Sequence, residues 1–135
     1  MQEAINRDEE HLKLLSIFHY VVGSIATIFG CFPVIHLIIG IIAIVSPESM
    51  SDKAGNLPPP FIGWIFAIIG GGLILLGWGY AVSLILTGRF IARRKHHLFC
   101  LIIAGLSCLF FPFGTILGVF TIIVLMRPSV KEQFK

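Results

Sequence analysis

Charge is the scarcest thing in this chain. Only 13% of its 135 residues are Asp, Glu, Lys or Arg, against roughly 25% in a typical soluble domain. Three stretches, 14–46, 61–88 and 98–126, contain no charged residue at all. Proton and cation pathways usually need ionisable groups at depth, so this lack argues against an ion-coupled transporter, although backbone at a helix break can bind ions alone. Cysteine is sparse too. Cys31, Cys100 and Cys108 lie in or beside apolar stretches, and an odd number in such places is no disulfide framework. No paired Cys or Cys/His spacing suggests zinc. The three read as small packing residues, with Cys100, near a basic loop, the one place where acylation would fit.

Catalytic groupings are missing as well. Ser16, Ser24 and Ser107 have no carboxylate near them in sequence, and acyl chemistry needs a nucleophile, a base and an orienting group together. Gly70-Gly71-Gly72 is not followed by Gly-Lys-Ser/Thr, so it is no phosphate loop. The chain reads as a non-enzyme with no resident cofactor or metal.

What is abundant is apolar surface. Hydrophobic residues make up 56% of the chain and mean hydropathy is +0.95. A soluble fold of this size cannot hide that much, because small domains keep a high surface-to-volume ratio. Crossing a bilayer takes about 20 apolar helical residues, and each uncharged stretch exceeds that. The expected fold is all-α: a polytopic transmembrane helical bundle forming one integral membrane domain, with membrane segments 14–46, 61–88 and 98–126. Residues 1–13 form a polar helix start, with Asn6 capping and Glu9 three residues on. Residues 127–135 are a basic tail. The acidic beginning does not suit a secretory signal peptide, which starts basic.

The first stretch would be about 48 Å long as one helix, against an apolar slab of about 30 Å. It must tilt, kink or turn back, and Gly30-Cys31-Phe32-Pro33 is the natural place. The third stretch repeats the device at Phe111-Pro112-Phe113-Gly114. Helix breaks are therefore expected at Pro33 and Pro112, giving three to four helical crossings.

Arg89, Arg93, Arg94 and Lys95, with His96 and His97, make a basic loop. The positive-inside rule puts loop 89–97 in the cytoplasm and the proline-rich loop 47–60 outside. If the first stretch crosses once and the third turns back, nine of the ten Lys and Arg are inside, with Lys53 alone outside. Charge favours that arrangement. Spacing argues the other way: Cys100, Ala104, Ser107, Gly114, Gly118 and Thr121 share one three-and-four stripe, as a kinked continuous helix would show. The basic loop would attract anionic lipid at about 1 kcal/mol per charge, which is a better reading than nucleic-acid binding.

Small residues form helix faces. Gly63, Gly70 and Gly77 share one face of the second stretch, Gly23 and Gly30 one of the first, and Gly114 and Gly118 form a GxxxG in the third. Such residues let helix backbones approach in lipid. They read first as packing within the bundle, the sharper alternative being a homo-oligomer or a membrane-protein partner. His19 and His36 are the strongly polar side chains within the stretches. Each reads as a neutral, hydrogen-bonded histidine, the sharper alternative being a pair of haem ligands.

The opening His11-Leu-Lys-Leu-Leu-Ser-Ile-Phe-His-Tyr20 and the closing Phe111-Pro-Phe-Gly-Thr-Ile-Leu-Gly-Val-Phe-Thr-Ile-Ile-Val-Leu-Met-Arg-Pro-Ser-Val130 resemble a family of small bacterial inner-membrane proteins of unknown function. The resemblance runs from about Glu10 onward and includes Gly88-Arg89 and the basic residues after it. It implies a bacterial inner-membrane location and brings no activity, ligand or catalytic residue.

Overall fold

The structure, a computed structural model, describes residues 2–134. All the regular structure among them is helical: α1 (Gln2–Gly30), α2 (Val34–Val45), a 3-10 turn (Pro47–Met50), α3 (Pro60–Arg93), α4 (His97–Ser107), α5 (Phe113–Leu125) and α6 (Pro128–Lys131). Helix α1 is already formed at Gln2, so Asn6 lies inside it and caps nothing. Glu3 sits in the first turn instead, where a negative charge suits the helix dipole.

The two Phe-Pro steps behave differently. After Gly30 the chain keeps its direction. Cys31 and Phe32 donate to the carbonyls of Ile28 and Phe29 at 3.1 and 3.0 Å, and Val34 to Cys31 at 3.1 Å. These three-residue bonds tighten the helix where Pro33 withholds a donor. Leu37 then donates to Pro33 at 3.1 Å and the α-helix resumes. Gln2–Val45 thus counts as one helical stretch of 44 residues.

At Pro112 the chain reverses, and α4 and α5 pack as an antiparallel hairpin. A Cβ on Gly118 would meet Cys108 Sγ at 2.6 Å, and one on Gly114 would meet Phe110 Cβ at 2.8 Å. Across the open end, His97 Nε2 lies 2.8 Å from the Leu125 carbonyl. Thr115 closes the turn, its hydroxyl donating to the Cys108 carbonyl at 2.8 Å. The small-residue stripe is therefore not one face of a kinked helix. It folds in half, so that Ala104 and Ser107 meet Gly114 and Gly118.

Two helices, Gln2–Val45 and Pro60–Arg93, are long and apolar enough to cross a membrane. The hairpin arms have 11 and 13 residues, about 17 and 20 Å of helix. In the most apolar windows of the two long helices only 17% and 11% of residues are buried, unlike the core helix of a soluble protein.

Contacts divide the chain into two compact units. The first comprises Met1–Ile25 and Tyr80–Lys135. Its core holds Leu12, Leu15, Ile91, Cys100, Val124, Leu125 and Val130, with Phe90 and Phe134 packed against them. Here α1 and α3 touch through Gly23, set against Ala81 and Leu84, and through Gly88, set against Ser16 and His19. Helix α3 ends on a left-handed Arg94 (φ 53°). Lys95 donates to Phe90 and Arg94 to Ile91, at 3.0 and 3.1 Å, which is the Schellman arrangement.

The second unit, Ala26–Gly79, is built differently. Its buried residues are Gly30, Gly40, Ala43, Gly63 and Gly70, so backbone meets backbone. A Cβ on Gly40 would lie 2.8 Å from Ala67 Cα, and one on Gly70 3.0 Å from Leu37 Cα. Large apolar side chains point outward: Phe29, Leu75 and Leu76 are each more than 70% exposed.

Candidate functional site

Every buried polar side chain among the described residues belongs to the first unit: Asp8, Ser16, His19, Thr87, Ser107 and Thr121. Most of them are engaged by backbone. Thr87, Ser107 and Thr121 donate to carbonyls four residues back, at 2.8, 2.8 and 2.6 Å. This back-bonding satisfies a hydroxyl within its own helix. Ser16 instead reaches across to the Gly88 carbonyl of α3 at 2.7 Å, where the missing side chain of Gly88 opens the path. Each of these four hydroxyls donates to a backbone carbonyl.

His19 is fully buried, its Nδ1 2.9 Å from the Leu15 carbonyl. A carbonyl accepts only, so Nδ1 carries the proton and the ring presents Nε2 as a lone pair. That nitrogen has no partner. His36 belongs to the second unit, where its ring stacks on Phe66 at 6.0 Å and tilts against Phe32 at 6.4 Å. Among the described residues no group of three or more His, Cys, Asp or Glu could hold a metal.

The seven packing glycines all lie in helix contacts. Gly23 packs in the first unit, Gly30, Gly63, Gly70 and Gly77 in the second, and Gly114 and Gly118 within the hairpin. Gly40 and Gly88 make contacts just as close. Gly40 continues the three-and-four spacing of Gly23 and Gly30 past Pro33 and Leu37, beyond the helix break at which the sequence reading ends that face. Pro33 and Pro112 lie among outward aromatics, Phe32 and Phe111 being 66% and 88% exposed. Neither proline lines either of the two clearest grooves.

Ionised chemistry gathers where α1, the end of α3 and α6 meet. Asp8 is covered by its partners. Ser129 donates to its Oδ2 at 2.5 Å and Arg127 to its Oδ1 at 3.2 Å. The Ser129 hydrogen bond holds the carboxyl below its ordinary value of 3.8, with desolvation opposing and Arg127 assisting. Val130, beside Ser129, is fully buried in the core. Polar tie and apolar plug together fasten α6. Arg94 donates to Glu9 at 2.8 Å in a more exposed pair. Arg89, Arg93 and Lys95 remain exposed, Arg89 and Arg93 on the last turns of α3.

Beside the Arg94–Glu9 pair is a groove of about 530 Å³ lined from both helices, with Asn6, Glu10, Lys13 and Ser16 on α1 and Ile91 and Ala92 on α3. A second groove, about 380 Å³, lies in the other unit between the end of α2 and Pro58-Pro59-Pro60, with Trp64 on its wall.

No local pattern signals the Asp8–Ser129 and Glu9–Arg94 ties, which join residues far apart in the chain. The one hint was opposite charge: an acidic opening, and a basic loop and tail for it to meet. No protein-family profile matches the chain, and no curated protein or solved structure does.

Proposed function

We propose that the chain is a small integral membrane protein, a structural or interaction subunit with glycine faces that seat helix on helix. The supporting observation is the outward apolar surface of the two long helices. Contiguous exposed patches of this kind mark contact with lipid or protein. Gln2–Val45 and Pro60–Arg93 each span the bilayer, and α4–α5 enters as a re-entrant hairpin, its arms being too short to cross about 30 Å. The expected three to four crossings then become two full spans and one hairpin. Both termini and residues 94–96 lie in the cytoplasm by the positive-inside rule, and residues 46–59 outside. The family resemblance supports a bacterial inner membrane. Exposed Arg89, Arg93 and Lys95 face anionic lipid.

Alkaline extraction of membranes tests the placement. The chain should stay with the membrane and need detergent to leave it. Single cysteines at Ser51 and Lys95, in a background free of other cysteines, test the sidedness. A membrane-impermeant maleimide should label the first in intact cells and the second only after permeabilisation. A chain that is monodisperse in buffer without detergent or lipid would end the reading. Affinity purification in mild detergent then tests for the partner of such a subunit.

A further inference from the structure

The groove beside Arg94 has two kinds of wall. Leu12, Ile17, Ile91 and Ala92 are apolar, while Glu9, Glu10, Lys13 and Arg94 are charged. At about 530 Å³ it falls within the roughly 300–1,000 Å³ of small-molecule sites. Its charges balance, two of each sign. Glu9 and Arg94 neutralise one another at 2.8 Å, bridging α1 to α3. Glu10 and Lys13 are exposed and three residues apart on one helix face. Neither has an ion pair among the described residues. Lys13 is also the last charge before the uncharged stretch of α1, so the groove sits where water-facing and apolar helix surfaces meet.

We propose that this groove holds the headgroup of a zwitterionic aminophospholipid of the phosphatidylethanolamine class. Its phosphate lies on Lys13 and its primary ammonium on Glu10, and the first methylenes of the acyl chains run along the exposed Ile17. The inference rests on the membrane reading above. Charge balance is what selects this lipid. A neutral groove offers an anionic headgroup no net attraction, unlike the exposed Arg89, Arg93 and Lys95. The Glu10 carboxylate accepts charge-assisted hydrogen bonds from a primary ammonium, whereas a quaternary choline has no N–H to give. Anionic lipid and aminophospholipid are thus read by different parts of the same charged end.

The test uses the full chain, purified in mild detergent and mixed with equal amounts of phosphatidylethanolamine, phosphatidylglycerol and phosphatidylcholine. Native mass spectrometry reads which lipids stay bound. The one contact that differs, the primary ammonium on Glu10, corresponds at the usual strength of an exposed charge contact to retention of phosphatidylethanolamine about two- to fivefold above phosphatidylcholine. Glu10→Gln should abolish that preference. Lys13→Gln should lower retention of all three, since each carries a phosphate. Both positions are exposed and unpaired, so folding should be unaffected, which circular dichroism verifies. Equal retention of phosphatidylethanolamine and phosphatidylcholine, or an unchanged preference between them in Glu10→Gln, would overturn the assignment while leaving the membrane reading intact. A chain that stays monodisperse without detergent and retains no lipid would overturn both.

Discussion

Phe32-Pro33 and Phe111-Pro112 look alike in sequence, yet the helix runs on through the first and doubles back at the second. Proline removes one donor in each case, so proline alone does not decide. The flanking small residues do. Around Pro33, Gly30 and Gly40 face Gly77, Trp78 and Ala67 on α3. The two arms share an external partner and gain nothing by folding onto each other. Around Pro112, Gly114 faces Ser107 and Phe110, and Gly118 faces Ala104 and Cys108. Each arm is the other's partner, and the Thr115 hydroxyl fixes the turn. A Phe-Pro step permits a break, and the complementarity of what flanks it sets the direction.

The strongest challenge to that comparison is to fill the glycine contacts. Gly118→Leu should open the hairpin and Gly40→Leu should part α2 from α3. Each should cost about 3 kcal/mol or more, because the colliding atoms include backbone. Reversible unfolding in detergent measures this. Gly72, with nothing within 4 Å of a built Cβ, is the control, and Gly72→Ala should shift stability by no more than about 0.5 kcal/mol.

A smaller effect is expected at the open end of the hairpin, which α6 fastens to α1 through Asp8. Asp8→Asn should weaken the docking by about 1–2 kcal/mol, the scale of a hydrogen bond to a charged group. The pH dependence has a definite sign. The folded pKa of Asp8 lies below 3.8, first because of Ser129. Its contribution is therefore complete above the ordinary value and lost as pH falls through the lower, folded one. The protection factor of the Val130 amide, its exchange rate relative to the free peptide at the same pH, should be high at neutral pH and fall below about pH 4. In Asp8→Asn it should be lower throughout and flat across that range.

Pro33→Ala should leave the first stretch helical and stabilise it by about 1 kcal/mol through a regained hydrogen bond. Pro112→Ala should leave the hairpin folded, since its glycine contacts and the Thr115 bond remain. The smallest change belongs to the exposed Glu9–Arg94 pair, where Glu9→Gln should alter stability by under about 1 kcal/mol. Thermal midpoints of the variants, read by circular dichroism, rank all three.

Helical class and the long apolar stretches were legible because composition and charge segregation are one-dimensional. So were the packing faces, since a three-and-four spacing survives in the sequence. The stripe from Cys100 to Thr121 was legible as a stripe, but its meaning was not. A continuous face and two halves that close on each other have the same spacing. Charge asymmetry pointed to the hairpin for an independent reason, the placement of the basic tail. Gly40 keeps the spacing of Gly23 and Gly30 but lies beyond Pro33, and only the continuity of the helix through that proline puts it on the same face. The Asp8 tie leaves no such trace, because Ser129 lies at the far end of the chain. Nothing in local spacing records which distant partner a residue will meet.

The hairpin is the claim on which the comparison turns, and one distance decides it. Spin labels at Leu98→Cys and Met126→Cys, with Cys31, Cys100 and Cys108 replaced, would sit at exposed positions at the two ends of the third stretch. Pulsed electron-electron resonance in detergent or lipid should give less than about 25 Å, the spacing of packed helices plus two label arms. A separation near 42 Å, that of 28 residues of uninterrupted helix at about 1.5 Å each, would contradict the account.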